Sequence, residues 1–441
     1  MKLLTACLLV GGLFLSLPSA AQAPAAGVAP AGLPQSKDLF DAIHVVVGPS
    51  ARSLDPIAVS PGRCPPKSEA CAEIDGILEK DFLVSGYFKV LERKSFLANP
   101  ATETLAVTSW DAWTNVGAKY LVKTEVKAGA RGLDIEFRLM DVAGRKVVPV
   151  KGQTATGVAK NGVRRATHEF VNGVIEVVTG KRGIFGSEII VSQKLGTWER
   201  VIVGLEMDGS GRRHVIANGS ANMFPRFAPG GDILYTSFLP ETPQLYVGTR
   251  RITNDDRQYR GAEFSPDGKV IVASVDMDGQ SDLVLIDPQT GVEKKRLTDT
   301  EWDEVSATWS RNGATIAFVS SRSGHPQIYL MSPDGTNERR LTMVGQYNSS
   351  PRFGPDNILA FAGMDGYTSD IFTIDTSGAM NRLTQDQGRN KDPAWSRDGR
   401  YLVFVSDRTG GWRVWIMTED GRYQFPITEG AGWYSTPDWG R

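Results

Sequence analysis

The sequence predicts an α/β N-terminal domain followed by an all-β six-bladed propeller that its own C-terminal strand closes. Three observations predict it. An aromatic residue followed by a tight turn recurs at Phe227, Phe264, Trp309, Phe353, Trp395 and Trp439, in steps of 37, 45, 44, 42 and 44 residues, the period of a four-stranded blade. Glycine fills 47 of the 441 positions, above the average usage near 7%, as a fold with two turns per blade requires. Ahead of the repeats the texture differs, with strand-like and helix-like apolar spacing in alternation. Charge excludes two partner classes: 49 basic against 50 acidic residues leave a net −1, without the positive field that nucleic acid or an anionic lipid surface attracts.

Residues 1–21 read as a secretory signal peptide. Residues 3–17 are apolar except Thr5, Gly11, Gly12 and Ser16, short of the roughly 20 residues that span a bilayer, so no direct membrane insertion is expected. Ser19-Ala20-Ala21 sets small residues for cleavage between Ala21 and Gln22. Residues 22–42, rich in Ala, Pro and Gly without an apolar period, read as a flexible arm. Beyond the leader the cysteines are Cys64 and Cys71, with six residues between them. The spacing suits one disulfide worth about 2 kcal/mol, or a pair of free thiols, and excludes a C-x-x-C redox centre.

Residues 43–180 carry the α/β pattern. Strands are expected at 43–47, 87–91, 120–126, 133–140 and 147–156, and helices at 72–83, 110–116 and 163–178, the last stopped by Gly180. Thr179-Gly180-Lys181-Arg182 lacks the upstream glycine and the following Ser/Thr of a phosphate loop.

From residue 187 the blades follow. Phe264-Ser265-Pro266-Asp267-Gly268 is a hairpin turn between first and second strands: Pro presets φ, Asp tolerates the bridge region and Gly accepts positive φ. Trp309-Ser310-Arg311-Asn312-Gly313 and Trp395-Ser396-Arg397-Asp398-Gly399 repeat it. Fourth strands end in an apolar residue plus Thr at Ile252-Thr253, Leu297-Thr298, Leu341-Thr342, Leu383-Thr384 and Ile427-Thr428. The segment after residue 187 lacks an aromatic first strand, while residues 435–439 are a first strand with nothing after it. Together they complete a sixth blade and close the ring.

No catalytic constellation emerges. Gly-x-Ser-x-Gly is absent, and His44, His168, His214 and His325 stand singly without a metal-binding pair, so an enzyme is not expected. The aromatic row suits inter-blade packing better than a sugar-stacking platform. Asp267, Asp356 and Asp398 are turn residues. Glu301-Trp302-Asp303-Glu304 is an acidic patch, either a solvated loop or a calcium site near the channel mouth; otherwise no cofactor or metal is expected. The loops joining one blade's last strand to the next blade's first do not repeat. They carry Arg257, Tyr259, Arg260, Trp302, Glu304, Tyr347, Asn348, Arg389, Asn390, Trp433 and Tyr434, a composition of aromatic and arginine anchors typical of protein interfaces.

Signal peptide, small α/β domain and six blades with Ser-Pro-Asp-Gly turns and Leu-Thr strand ends resemble the TolB family, the periplasmic propellers of the Tol-Pal system. Asp55-Pro56-Ile57-Ala58-Val59 looks like the family's Pro-Ile-x-Val segment, and Thr179-Gly180-Lys181-Arg182-Gly183-Ile184-Phe185 before Ile189-Ile190-Val191 looks like its interdomain passage. The resemblance implies a monomeric, non-enzymatic adaptor in the periplasm that supports outer-membrane integrity and constriction at cell division. Its propeller mouth would receive the peptidoglycan-associated lipoprotein Pal. Its N-terminal arm, around Asp38, Leu39, Phe40, Asp41 and Ile43, would be read by the inner-membrane protein TolA, and bacteriocins would exploit the same system. The Pro/Ala leader before Asp38 and the Cys64–Cys71 insertion depart from the family pattern. The competing readings are a periplasmic propeller hydrolase or lyase, and a cell-wall or sugar sensor that uses the channel.

Overall fold

The computed structural model describes residues 53–277, 279–430 and 432–440, together with the backbone of the strand His44–Val45. The signal segment, its cleavage point and the arm residues Asp38, Leu39, Phe40, Asp41 and Ile43 lie outside the described residues.

The N-terminal domain is a mixed sheet built from β2 (Asp55–Val59), β3 (Phe88–Val90), β4 (Tyr120–Gly129), β5 (Gly132–Asp141), β6 (Lys146–Val148) and β7 (Thr154–Val158), with β1 being His44–Val45. The strand order is β3-β2-β4-β5-β6, with β7 also on β5. β2 pairs in parallel with β3 and β4, and β4 and β5 form a long hairpin. Helices α1 (Ala70–Val84), α2 (Trp110–Asn115) and α3 (Val163–Thr179) supply the cover. In α1 the side chains of Ile74, Ile77, Leu78 and Phe82 recur at helical spacing and are buried. In α3 Phe170 stacks on Phe137 of β5 with centroids 4.7 Å apart. Gly180 ends α3 at φ 75°, its N–H donating to the Glu176 carbonyl.

Two expectations change here. β2 runs between β3 and β4 with Ile57, Ala58 and Val59 buried, although Pro56 argues against an inner strand; the proline is tolerated at the strand's second position. The single strand expected over 147–156 is two strands, β6 and β7, broken at Gly152 with φ 80°. The break lets the 150–153 segment lie against α3, where a Cβ on Gly173 would meet the Lys151 carbonyl at 2.3 Å. Cys64 and Cys71 are joined by a disulfide in the loop before α1, with Cα atoms 5.8 Å apart.

The propeller has six blades. In blade 1 the C-terminal strand Tyr434–Trp439 pairs with β8 (Glu188–Lys194), which continues into β9 (Arg200–Glu206) and β10 (Arg213–Ile216), so the two ends of the ring meet in one sheet. Blades 2 to 6 begin with the strands Asn222–Phe227, Gln258–Phe264, Glu304–Trp309, Tyr347–Phe353 and Asn390–Trp395. Each first strand thus ends on one of the six recurring aromatics, and Trp309, Trp395 and Trp439 are buried among neighbouring blades. The first strands touch one another in an unbroken circle around the axis. All six carry a register shift next to a residue at left-handed φ: Phe224, Gly261, Ser306, Ser350, Asp392 and Thr436, between 49° and 66°. These bulges bend the innermost strands to the curvature of the channel. β1 adds a fifth strand to blade 6, pairing His44 with Gln424 and Val45 with Tyr423.

The Thr that follows the fourth strand in blades 2 to 6 has a specific task. The N–H groups of Leu245, Leu283, Ile328, Ile371 and Val414 donate to the hydroxyls of Thr253, Thr298, Thr342, Thr384 and Thr428 at 2.9–3.0 Å. The hydroxyl therefore continues the ladder after the fourth strand has ended. In blades 2 to 5 an arginine two positions earlier donates to the carbonyl of the same Thr, through Arg251, Arg296, Arg340 and Arg382. In blade 6 Pro426 holds that position.

Candidate functional site

Antiparallel strands place the loops between blades and the hairpins between second and third strands on one face, around the channel mouth. Hydrogen bonds join the two sets. Arg389 donates its backbone N–H and its Nε to Asp407 at 2.7 Å, and Asp303 accepts the Ser281 N–H at 3.0 Å. The α/β domain meets the opposite face: Tyr401 donates to the Ser85 carbonyl at 2.9 Å, and Arg400 to the Arg182 carbonyl.

The eleven rim residues separate by burial. Trp302 and Trp433 stand out from the surface, 42% and 58% exposed. Arg257 is paired with Asp255 and Glu293, Arg260 with Asp276 at 2.8 Å, and Arg389 with Asp407; these cations line the rim while held in place by carboxylates. Tyr347 is half-buried. The other five lie deeper. Tyr259, Glu304, Asn348, Asn390 and Tyr434 are buried at the start of their first strands, and the first four bond to protein donors and acceptors. Tyr259 donates to Asp255; Glu304 accepts from Thr300, Ser320 and Arg322; Asn348 donates to Gln327; and Asn390 donates to Asp370. At the first four positions a polar side chain bonds within the propeller, to the loop or strand end of the preceding blade. Asp303 and Glu304, half of the acidic patch, are engaged in the same way.

Sequence reasoning missed the second set of loops. Trp412, in the blade 6 hairpin, lies 4.2 Å from Lys391 Nζ and 5.3 Å from the Arg389 guanidinium carbon. It pairs with Trp433 through an isolated parallel bridge, the Tyr434 N–H donating to its carbonyl at 3.0 Å. Met343 and Val344 are exposed on the loop before blade 5, and Tyr367 is 88% exposed at the tip of that blade's hairpin. Gly410-Gly411 before Trp412 was the available sequence signal.

Beneath the mouth the channel wall is charged. Arg352 bridges Glu263 at 2.7 Å and Asp438; Glu263 accepts the Trp309 N–H, and Asp438 accepts the Phe227 N–H. Burial, with Arg352 beside it, lowers the Arg226 pKa to about 10. These groups tie blades 1, 2, 3, 4 and 5 to one another. Among the described residues no histidine ring is hydrogen-bonded to a hydroxyl or thiol; the bonded ring is that of His168, between two carboxylates. Asp81, His168 and Asp208 place ligand-type atoms within 4.8 Å of one another. The His168 nitrogens and Asp208 oxygens are already engaged by protein groups, so the cluster is built as an ion-pair network.

Residues 43–148 match the TolB amino-terminal domain, and residues 175–359 the TolB beta propeller domain. The chain is 35% identical over 388 residues to the Tol-Pal system protein TolB of Anaeromyxobacter sp. (strain K), covering 84% of this chain and 87% of the relative. It is 35% identical over 415 residues to that of Anaeromyxobacter dehalogenans (strain 2CP-1), covering 90% and 93%. The crystal structure of TolB from Acinetobacter baumannii superposes with a TM-score of 0.75 at 23% identity, over 90% of this chain and 99% of that one.

Proposed function

This chain belongs to the TolB family of Tol-Pal system proteins, and on that premise we propose that it works as a non-enzymatic periplasmic adaptor. In this reading the mature chain begins at Gln22, the mouth of the propeller binds the peptidoglycan-associated lipoprotein Pal, and the arm is recognised by TolA. The link between the two membranes would support envelope integrity and constriction at division. The observation that carries the reading is the rim itself. Trp302 and Trp433 are exposed at one end of the channel, Trp433 beside Trp412 with its two cations, and large aromatics among ordered arginines are the side chains that anchor protein interfaces. The reading asks for no cofactor.

The test is capture from envelope extract with three baits: the mature protein, a form lacking residues 22–42, and the double variant Trp302→Ala, Trp433→Ala. The arm deletion is expected to lose an inner-membrane partner and retain the lipoprotein. The double variant is expected to lose the lipoprotein by at least about tenfold, since each aromatic anchor is worth roughly 2 kcal/mol, and to retain the inner-membrane partner. An unchanged captured set for both variants contradicts the assignment.

A further inference from the structure

The α/β domain meets blade 1 through a charged cluster that partner binding at the mouth does not use. Asp81 comes from α1, Arg164 and His168 from α3, and Glu206, Asp208 and Ser210 from the end of β9 and the turn after it. His168 Nδ1 lies 2.6 Å from Asp81 Oδ2, and Nε2 lies 3.0 Å from Glu206 Oε2. Asp81 and His168 are buried, and Phe185 stacks on the imidazole at 5.9 Å. A neutral imidazole has one N–H and can donate to one carboxylate; at the other nitrogen, lone pair would face lone pair. Serving both contacts therefore requires one further proton between Asp81 and His168, whichever of the two atoms carries it. Arg164 Nη1 sits 2.7 Å from Asp208 Oδ2 and 3.8 Å from Glu206 Oε2, while Asp208 Oδ1 accepts the Ser210 N–H and hydroxyl. With that proton, on either atom, Asp81, Glu206, Asp208, His168 and Arg164 together carry one net negative charge; without it the cluster gains a second, uncompensated across the domain boundary, and Asp81 Oδ1 is already without a donor.

We propose that the proton held by the Asp81–His168–Glu206 bridge is a pH-operated latch that seats the α/β domain on blade 1, closed through neutral pH and released in alkali. The charged groups facing His168 among the described residues are Asp81, Glu206, Asp208 and Arg164. Burial opposes the imidazolium, but hydrogen bonds to Asp81 and Glu206 outweigh it and lift the His168 pKa from 6.5 to about 9. Burial raises Asp81 to about 7 against the pull of His168. Both folded values lie above the unfolded ones, so each contribution is whole below the unfolded pKa and lost as pH rises: between 3.8 and about 7 for Asp81, ahead of the alkaline step, and between 6.5 and about 9 for His168, the step that releases the latch. Glu206, held low first by its hydrogen bond from His168, and Asp208, held low by Ser210 and Arg164 against its burial, set an acid limit of opposite sign.

The latch is tested by hydrogen exchange on the mature protein at pH 7.0 and 9.5, corrected for the intrinsic rate, in the wild type, His168→Gln and Glu206→Gln. Amides of α3 and of the turn at 207–211 are expected to exchange at least about tenfold faster at the higher pH in the wild type, relative to amides of blade 4. His168→Gln should show no such step, and Glu206→Gln a smaller one. An equal step in the wild type and His168→Gln, or no step in the wild type, overturns the proposal. The wild type alone gives a second decision. The His168 ring signal should titrate with a midpoint above about 8, and a midpoint at or below the unperturbed value near 6.5 refutes the held proton even if His168→Gln does not fold.

Discussion

At the scale of single residues, the Thr that follows the fourth strand in blades 2 to 6 shows what a repeat does and does not disclose. Thr384 is buried, accepts the Ile371 N–H at 2.9 Å and donates to Asp370 at 2.6 Å. Thr384→Val keeps the shape and leaves two buried polar groups short of a partner, so urea unfolding should show a loss of about 1–3 kcal/mol. Thr384→Ser retains the hydroxyl and should cost less. Equal stability of the Val variant and the wild type would count against the ladder role. The Leu-Thr ends were legible in the sequence as punctuation. Their bond was not, because the N–H they serve lies on the third strand, across a turn. Five rim residues lie deeper than their loop setting suggests, for a related reason: Tyr259, Glu304, Asn348, Asn390 and Tyr434 fall on a variable loop in sequence, but each stands in the first two positions of a strand and is buried. Loop composition reports exposure only after the first inward residue is known. Trp302 and Trp433 lie just outside that point and are exposed.

At the scale of elements, ring closure is the feature most fully written in the chain. Residues 435–439 carry a first-strand pattern, and the structure pairs Tyr434–Trp439 with β8. Trp439 adds a hydrogen bond from its indole N–H to the Ser187 hydroxyl at 2.9 Å. Deleting residues 435–441 exposes the edge of β8 and removes a buried Trp, whose loss alone costs about 3–5 kcal/mol. Thermal unfolding should then move down by many degrees and broaden, whereas an unchanged transition contradicts closure. The N-terminal domain was less legible. α1 and α3 follow the 3.6-residue period and lie within two residues of their expected bounds. β2 was hidden by Pro56, and β6 and β7 read as one strand because Gly152, at which the chain turns along α3, is a single residue between two runs of β-formers. The pairing of β1 with blade 6 joins positions some 380 residues apart, a distance over which periodicity carries no information.

At the scale of the whole molecule, the chain divides its work between two faces. The mouth presents exposed aromatics and ordered arginines, and the opposite face holds the α/β domain through Tyr401, Arg400 and the His168 cluster. Near-zero net charge suits this division, because the charges are spent in local pairs along the rim and channel and leave no long-range field. In the proposed function the mouth is the surface for the outer-membrane lipoprotein. The most direct test of that assignment is the hydrogen-exchange footprint of purified Pal on the mature protein. Protection is expected in the loops at 299–303, 385–389 and 429–433 and in the hairpin at 407–412, with none on α1 or α3. Protection confined to the α/β domain, or none at saturating Pal, would contradict the account.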